Sequence, residues 1–236
     1  MQGRRTVAAL KEQDFPAENS TRAAGRLSHY SSVEIFLSIC LGIGLSAACG
    51  FRVFVPLFCL SLAAHFGADH VHLAKSFAWI GSYPAMIAFG IATLIEIVAY
   101  YIPWLDNALD SAAVPLATVA GIFLTASVVV DLDPFWRWTL AVVAGGGIAA
   151  STQLATTKAR AASSLTTGGI ANPVLSTVEA ASSTVLSVLA VIWPIVALVL
   201  ALAVLAVCLS VIWFVGKRVL KLFRDKATQP AVTANP

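Results

Sequence analysis

Three charged residues lie inside long apolar stretches of this 236-residue chain: Arg52, Glu96 and Glu179. A charged side chain at the centre of a bilayer costs at least ~2.5–3.5 kcal/mol on insertion scales, so each should face protein, water or a partner charge. A buried arginine can bind an anionic group, and a buried glutamate can take up a proton. The three residues therefore predict a polar site, with Arg52 recognising an anion and Glu96 or Glu179 coupling to protons. The alternative is an Arg–Glu pair that only fixes helix packing.

Two more carboxylates follow Glu96 with helical spacing. Glu96, Tyr100 and Pro103 stand at i, i+4 and i+7, so Glu96 and Tyr100 share one helix face. Asp106 and Asp110 repeat the four-residue spacing beyond the proline. Such a series can guide protons or cations, which makes Asp106 a further candidate for ion coupling. In the alternative reading, the aromatic residues form an interfacial belt and the aspartates lie in water.

The segment 166–173, TTGGIANP, is a candidate anion-binding loop. Glycines and a proline free the backbone, and exposed amides near a helix start can hold a phosphate or a carboxylate. Gly168, Gly169 and Asn172 are therefore candidate substrate-binding residues, provided that the loop dips toward the membrane. Otherwise this segment is an ordinary cytoplasmic linker.

The composition indicates that membrane helices position these residues. Hydrophobic residues make up 58% of the chain and charged residues 11%, against roughly 45–50% and 25% in average globular domains. Most of the charges lie in segments 1–32 and 217–236, so the middle of the chain cannot supply the polar surface of a soluble fold. The composition therefore argues against a soluble enzyme, a nucleic-acid-binding protein and a secreted disulfide scaffold.

The sequence carries no pattern typical of catalysis or metal binding. The four cysteines lie in apolar runs without CxxC spacing, which suits small buried residues better than metal or disulfide chemistry. No HExxH or GxSxG motif is present. We expect no enzymatic activity, no metal and no cofactor.

The apolar segment 33–66 predicts a broken helix. It would span about 50 Å as one helix, too long for a bilayer core of roughly 30 Å, yet it is too short for two spans joined by a polar loop. Gly50, Arg52 and Pro56 supply the interruption. Four further segments are predicted to span the membrane, at 84–103, 111–130, 135–157 and 174–216, the last dividing into two spans at Trp193-Pro194.

These elements make an all-α polytopic bundle of about six transmembrane helices, with one or two broken or re-entrant segments. Residues 1–32 are expected to be a disordered tail, 33–216 the transmembrane domain and 217–236 a basic tail. Because lysine and arginine favour the cytoplasm, both termini and the loop with Lys158 and Arg160 are expected to be cytoplasmic. A bundle in which segment 33–66 crosses twice would place a tail or this loop outside, and it ranks second.

Four strings carry a resemblance to a known family: AACGFRVFVP at 47–56, EIVAYYIPWLDN at 96–107, DLDP at 131–134 and TTGGIANP at 166–173. Together they resemble the bacterial multi-pass membrane family catalogued as domain of unknown function 4126, over roughly residues 33–216. The resemblance implies a bacterial inner-membrane protein and no particular activity.

Broken helices and buried opposite charges favour proton-coupled transport or flipping of a small or lipid-linked anionic substrate. Arg52 would recognise the anion, Glu96 would bind the proton and Glu179 would be its counterpart. The alternative is a non-catalytic scaffold or a protein that organises envelope lipids. Membrane lipids are the expected surroundings, a homo-oligomer is compatible with the sequence, and no nucleic acid is expected.

Overall fold

The computed structural model describes residues 17–67, 71–130 and 132–227, and these ranges contain helices and no β-strand. A 3₁₀-helix at Lys75–Gly81 precedes the helix Tyr83–Ala99, and residues Ala141–Gly146 within the helix Pro134–Thr167 are π-helical. The α-helices are α1 (Ala17–Cys49), α2 (Phe54–Phe66), α3 (Tyr83–Ala99), α4 (Pro103–Val128), α5 (Pro134–Thr167), α6 (Asn172–Ile192) and α7 (Pro194–Ala227).

The all-α membrane bundle predicted from the sequence is confirmed. Five helices of the described ranges are long and apolar enough to cross a membrane, in α1, α4, α5, α6 and α7. A sixth span results if the 3₁₀-helix and α3, bent by 66° to one another, count together. The predicted breaks are also present, since α1 ends at Cys49 and α2 begins at Phe54, while Trp193 separates α6 from α7.

The break before α2 reverses the chain. Thr125 Oγ1 of α4 donates to the Gly42 carbonyl of α1 at 3.3 Å. In the second half of α2, Ser61 Oγ donates to the carbonyl of Ile80 in the 3₁₀-helix at 2.6 Å. The N–H of Ala74, directly before that 3₁₀-helix, donates to the Ser127 carbonyl of α4 at 2.9 Å. The apolar part of α1 and the last turns of α2 therefore both lie beside the C-terminal end of α4.

Helix α7 runs in the same direction as the apolar part of α1. Along α7, Ala197 packs against Gly44, and Cys208 lies beside Thr152 and near the break. The apolar part of α1 thus enters at one end of the bundle and α7 leaves at the other. The number of crossings, about six, and the cytoplasmic location of both termini stay predictions, because residues 1–16 and 228–236 lie outside the described residues. We call the end with the α1–α2 break, the α3–α4 turn and the α5–α6 turn the cluster end.

Two predicted boundaries also differ from the structure. Helix α1 begins at Ala17, inside the predicted tail, while residues 1–16 and 228–236 lie outside the described residues. Helix α5 continues to Thr167, ten residues beyond the predicted end of that span. Arg160 is therefore part of a helix and does not lie in a cytoplasmic loop.

Glycines allow the closest helix contacts. A Cβ atom added to Gly145 would lie 2.7 Å from the Gly121 carbonyl oxygen, and one added to Gly121 would lie 2.7 Å from the Gly145 carbonyl oxygen. Small residues allow such close approach between membrane helices. This contact fixes α5 against α4 and sets the relative positions of the residues that follow on both helices.

Candidate functional site

Six charged side chains meet near the cluster end of the bundle. They come from the α1–α2 break and from α3, α4, α5 and α6. With every group ionised, four carboxylates face two guanidinium groups, a formal charge of −2. We call this set the charge cluster: Arg52, Glu96, Asp106, Asp110, Arg160 and Glu179.

Arg160 is the most heavily paired member of the cluster. Its side chain is 2% exposed, and its guanidinium binds Glu179 in a bidentate manner, with Nε donating to Oε1 at 3.0 Å and Nη2 donating to Oε2. Nη1 donates to Asp106, and Asp110 Oδ1 lies 4.0 Å from Nε. Bidentate Arg–carboxylate pairs combine strength with a fixed geometry, so Arg160 holds α4, α5 and α6 together.

Arg52 is equally buried but incompletely paired. Its Nη2 donates to the Ser176 carbonyl at 3.0 Å and lies 3.3 Å from Glu179 Oε2. Its Nε and Nη1 have no hydrogen-bond partner. The guanidinium carbon atoms of Arg52 and Arg160 lie 3.7 and 4.4 Å from the centre of the Tyr100 ring, distances at which cation–π attraction operates.

Glu96 caps the N-terminus of α2. Its two carboxylate oxygens accept hydrogen bonds from the Val53 N–H at 2.7 Å and the Phe54 N–H at 2.9 Å. The first N–H groups of a helix lack partners within the helix and carry partial positive charge, so a carboxylate there is favourable. This contact explains how the chain can start a new helix directly after it reverses.

A polar cleft adjoins the charge cluster. Asn172 Nδ2 donates to Asp106 Oδ2 at 3.4 Å and to Ser164 Oγ at 3.1 Å. Gly168 and Gly169 adopt positive φ angles of 63° and 87° in the turn that begins α6, a conformation that glycine adopts without strain. The cleft has a volume of about 290 Å³ and is lined by Tyr100, Tyr101, Asp106, Ser164, Gly168, Gly169, Asn172 and Pro173.

The structure brings the predicted site residues together in two connected groups. Arg52, Glu96 and Glu179 lie in the charge cluster. The candidates Gly168, Gly169 and Asn172 line the cleft, and Asp106 belongs to both groups. Their roles in binding or coupling stay predictions.

Sequence reasoning missed Arg160 as a member of the site. Arg160 follows Lys158 in a polar stretch, which suggested a basic loop. The sequence pattern alone does not mark Arg160 as buried, but the structure shows that Ala149, Gln153 and Arg160, at i, i+4 and i+11, are all buried. Spacing of this kind continues one helix face, so it places Arg160 inside the bundle.

No group of three or more potential metal ligands occurs among the described residues. Residues 68–70, which include Asp69 and His70, lie outside the described residues. Comparisons with curated proteins and with solved structures found no match. A family model described as a domain of unknown function matches residues 39–214. The chain therefore belongs to the DUF4126 family of domains of unknown function.

Proposed function

We propose that this membrane protein is a proton-coupled secondary transporter or flippase for an anionic substrate. The observation that carries the proposal is the junction of a helix break with a buried carboxylate and a buried arginine. Glu96 holds the N-terminus of α2, and Arg52 lies directly before that helix. Many transporters bind substrates and ions at interrupted helices near the middle of the membrane.

The charge of the cluster supports a coupling to protons. Four carboxylates face only two arginines, so full ionisation leaves uncompensated negative charge away from water. Buried charges without partners are unfavourable, and protons are the simplest ions that remove this charge. Glu96 is the proposed proton site, because a proton on its carboxylate would weaken the hydrogen bonds that hold the N-terminus of α2 and would so couple protonation to the helix break. Glu179 and Asp106 form ion pairs with the arginines, and their affinity for protons would change when those ion pairs rearrange.

The polar cleft is the proposed route to the cluster. Asp106 and Tyr100 line the cleft and also contact the arginines. The basic residues after Phe214 follow from the cluster end, so the positive-inside rule places this end in the cytoplasm. The proposed setting is a bacterial inner membrane, with a substrate that enters from the cytoplasmic side and undergoes no chemical change.

A scaffold is the second candidate, favoured by the exposed surface of α7. Within Pro194–Phe214, 17% of the most apolar window is buried in the bundle. Such a surface suits contacts with lipids, a second copy or another membrane protein. In this reading, the charge cluster would only lock the helices together.

Cysteine accessibility distinguishes these functions. The native cysteines at 40, 49, 59 and 208 are replaced, and single cysteines are introduced at Ser183, beside the α1–α2 break, and at Ser164, in the cleft. Membrane-impermeant thiol reagents are then applied from each face at several pH values. Thr184, an exposed neighbour of Ser183 on α6, provides the matched control.

Transport predicts that Ser183→Cys is labelled from both faces, with a pH-dependent rate, while Ser164→Cys is labelled from one face. Every thiol reacts faster as its thiolate fraction rises with pH, so Thr184→Cys measures this intrinsic change, and the rate of Ser183→Cys should deviate from it. Complete protection of Ser183→Cys from both faces would contradict transport, because no aqueous path would reach the break. The charge cluster would then be a structural ion-pair network and the scaffold function would be favoured.

A further inference from the structure

The N-terminus of α2 has the features of an anion-binding site. Helix N-termini bind anions through unpaired N–H groups and the helix dipole. Here the 13-residue helix α2 directs the N–H groups of Val53 and Phe54 at the Glu96 carboxylate. A carboxylate from the chain itself therefore occupies the place of a bound anion.

Arg52 provides an independent sign that a further acceptor belongs here. The residue is 1% exposed and lies directly before Val53, yet its Nε and Nη1 have no hydrogen-bond partner. Buried donors are almost always satisfied in native proteins. Ser176 and Glu179 engage only Nη2, so the guanidinium still has the donors needed to bind an oxyanion.

We propose that the N-terminus of α2 and Arg52 form a binding site for a monovalent carboxylate, which Glu96 occupies in this state and vacates when it is protonated. This inference rests on the proposed transport function and gives it a substrate class. The incoming carboxylate takes the place of Glu96 at the Val53 and Phe54 N–H groups, and the positive charge of Arg52, which already acts on Glu96, attracts it. Neutral Glu96 loses the charge that made it a good cap.

The surrounding charges favour a monovalent anion. Glu96 interacts electrostatically with Arg52 and with three further ionisable groups. These are Cys49 of α1, Tyr100 after α3 and Glu179 of α6. One proton on Glu96 and one bound carboxylate leave the formal charge of the cluster at −2. A divalent anion would add a negative charge next to Glu179. The expected stoichiometry is therefore one proton for each carboxylate.

Chemical rescue tests the site. Glu96→Ala removes the resident carboxylate and exposes the N–H groups of α2. The thermal unfolding of the purified full-length variant is measured in detergent at neutral pH, with and without sodium formate. Glu34→Ala, which removes an exposed glutamate from α1, is the matched control, and sodium chloride controls for ionic strength.

Formate should raise the melting temperature of Glu96→Ala by roughly 5 °C or more at about 100 times its dissociation constant. It should leave Glu34→Ala and the wild type unchanged at neutral pH. Adding Arg52→Lys to Glu96→Ala should weaken the response. Equal responses in Glu96→Ala and Glu34→Ala would overturn the proposal.

Glu96→Gln decides the question if Glu96→Ala does not fold. The amide mimics a protonated glutamate, so Glu96→Gln should respond to formate at neutral pH, while the wild type should respond only in acid. The same response in both proteins at all pH values would overturn the site. A formate response without labelling of Ser183→Cys from both faces would retain the anion site and overturn transport. Labelling without a formate response would retain transport and overturn this substrate class.

A second arm identifies the source of the carboxylate. Decanoate carries the same headgroup as formate on an apolar chain. Stabilisation of Glu96→Gln by decanoate at a much lower concentration than formate, with dependence on Arg52, would support an amphiphilic substrate. Equal potency of the two compounds would support a water-soluble carboxylate. Stabilisation of undiminished size when Arg52 is changed to lysine would contradict the assigned site.

Discussion

Arg160→Gln is expected to destabilise the bundle severely. Arg160 is 2% exposed and faces three carboxylates, those of Asp106, Asp110 and Glu179. The substitution removes the cation but leaves these carboxylates in place, so the formal charge of the cluster changes from −2 to −3. It also breaks the contacts by which α5 is tied to α4 and α6.

Two estimates agree on the size of the effect. Removing one partner of a buried ion pair costs about 3–5 kcal/mol. A unit charge about 4 Å from an opposite charge is stabilised by roughly 4 kcal/mol at an effective dielectric constant of 20. At about 2–4 °C for each kcal/mol in a protein of this size, the melting temperature should fall by roughly 10 °C.

The assay is thermal unfolding of the purified protein in detergent, followed by tryptophan fluorescence. Lys158→Gln, two residues earlier on α5 and less buried, is the control and should have a small effect. The double variant Arg160→Gln/Asp106→Asn returns the formal charge to −2 and should recover part of the loss. A melting temperature for Arg160→Gln equal to that of Lys158→Gln would refute the reasoning.

Three further substitutions test other parts of the structure in the same assay. Glu96→Gln should fold in normal yield but melt a few degrees lower than the wild type. An amide accepts hydrogen bonds from the two α2 N–H groups less well than a carboxylate, and losing a helix cap costs about 0.5–2 kcal/mol. Loss of folded protein would make the glutamate purely structural. Gly145→Val should reduce the folded yield, since its side chain meets backbone of α4, whereas Gly147→Val, with nothing within 4 Å, should be tolerated; equal yields would contradict the close contact. Tyr100→Leu should melt at a lower temperature than Tyr100→Phe, because only the phenyl ring preserves the cation–π contacts with both arginines. Equal melting temperatures would show that these contacts do not stabilise the bundle.

Part of the site could be predicted from the sequence because a charged side chain is costly to bury in a membrane. Arg52, Glu96 and Glu179 stand out because a charge in an apolar run needs a partner. The same cost brings them together in the folded bundle. Helix breaks were equally visible, since glycine, a charge and proline interrupt the apolar pattern near residue 50, and proline follows Trp193.

The reversal of the chain after Cys49 could not be predicted in this way. It depends on hydrogen bonds between Glu96 and the N–H groups of Val53 and Phe54, 43 and 42 residues away in sequence. No local pattern in segment 33–66 encodes that partner. The positive-inside rule also counted Arg160 as a loop residue, although its charge is paired inside the bundle.

The incomplete pairing of the charge cluster argues for function over packing. A buried polar network that only holds helices together is most stable when every donor and acceptor is satisfied. Here Arg160 meets that standard, but Arg52 keeps two unpaired nitrogens and Asp110 Oδ1 lacks a hydrogen-bond partner. Buried polar atoms without hydrogen-bond partners are expected where a protein uses them to bind a ligand or an ion. Arg160 therefore fits a structural role, whereas Arg52 keeps donors for the proposed ligand.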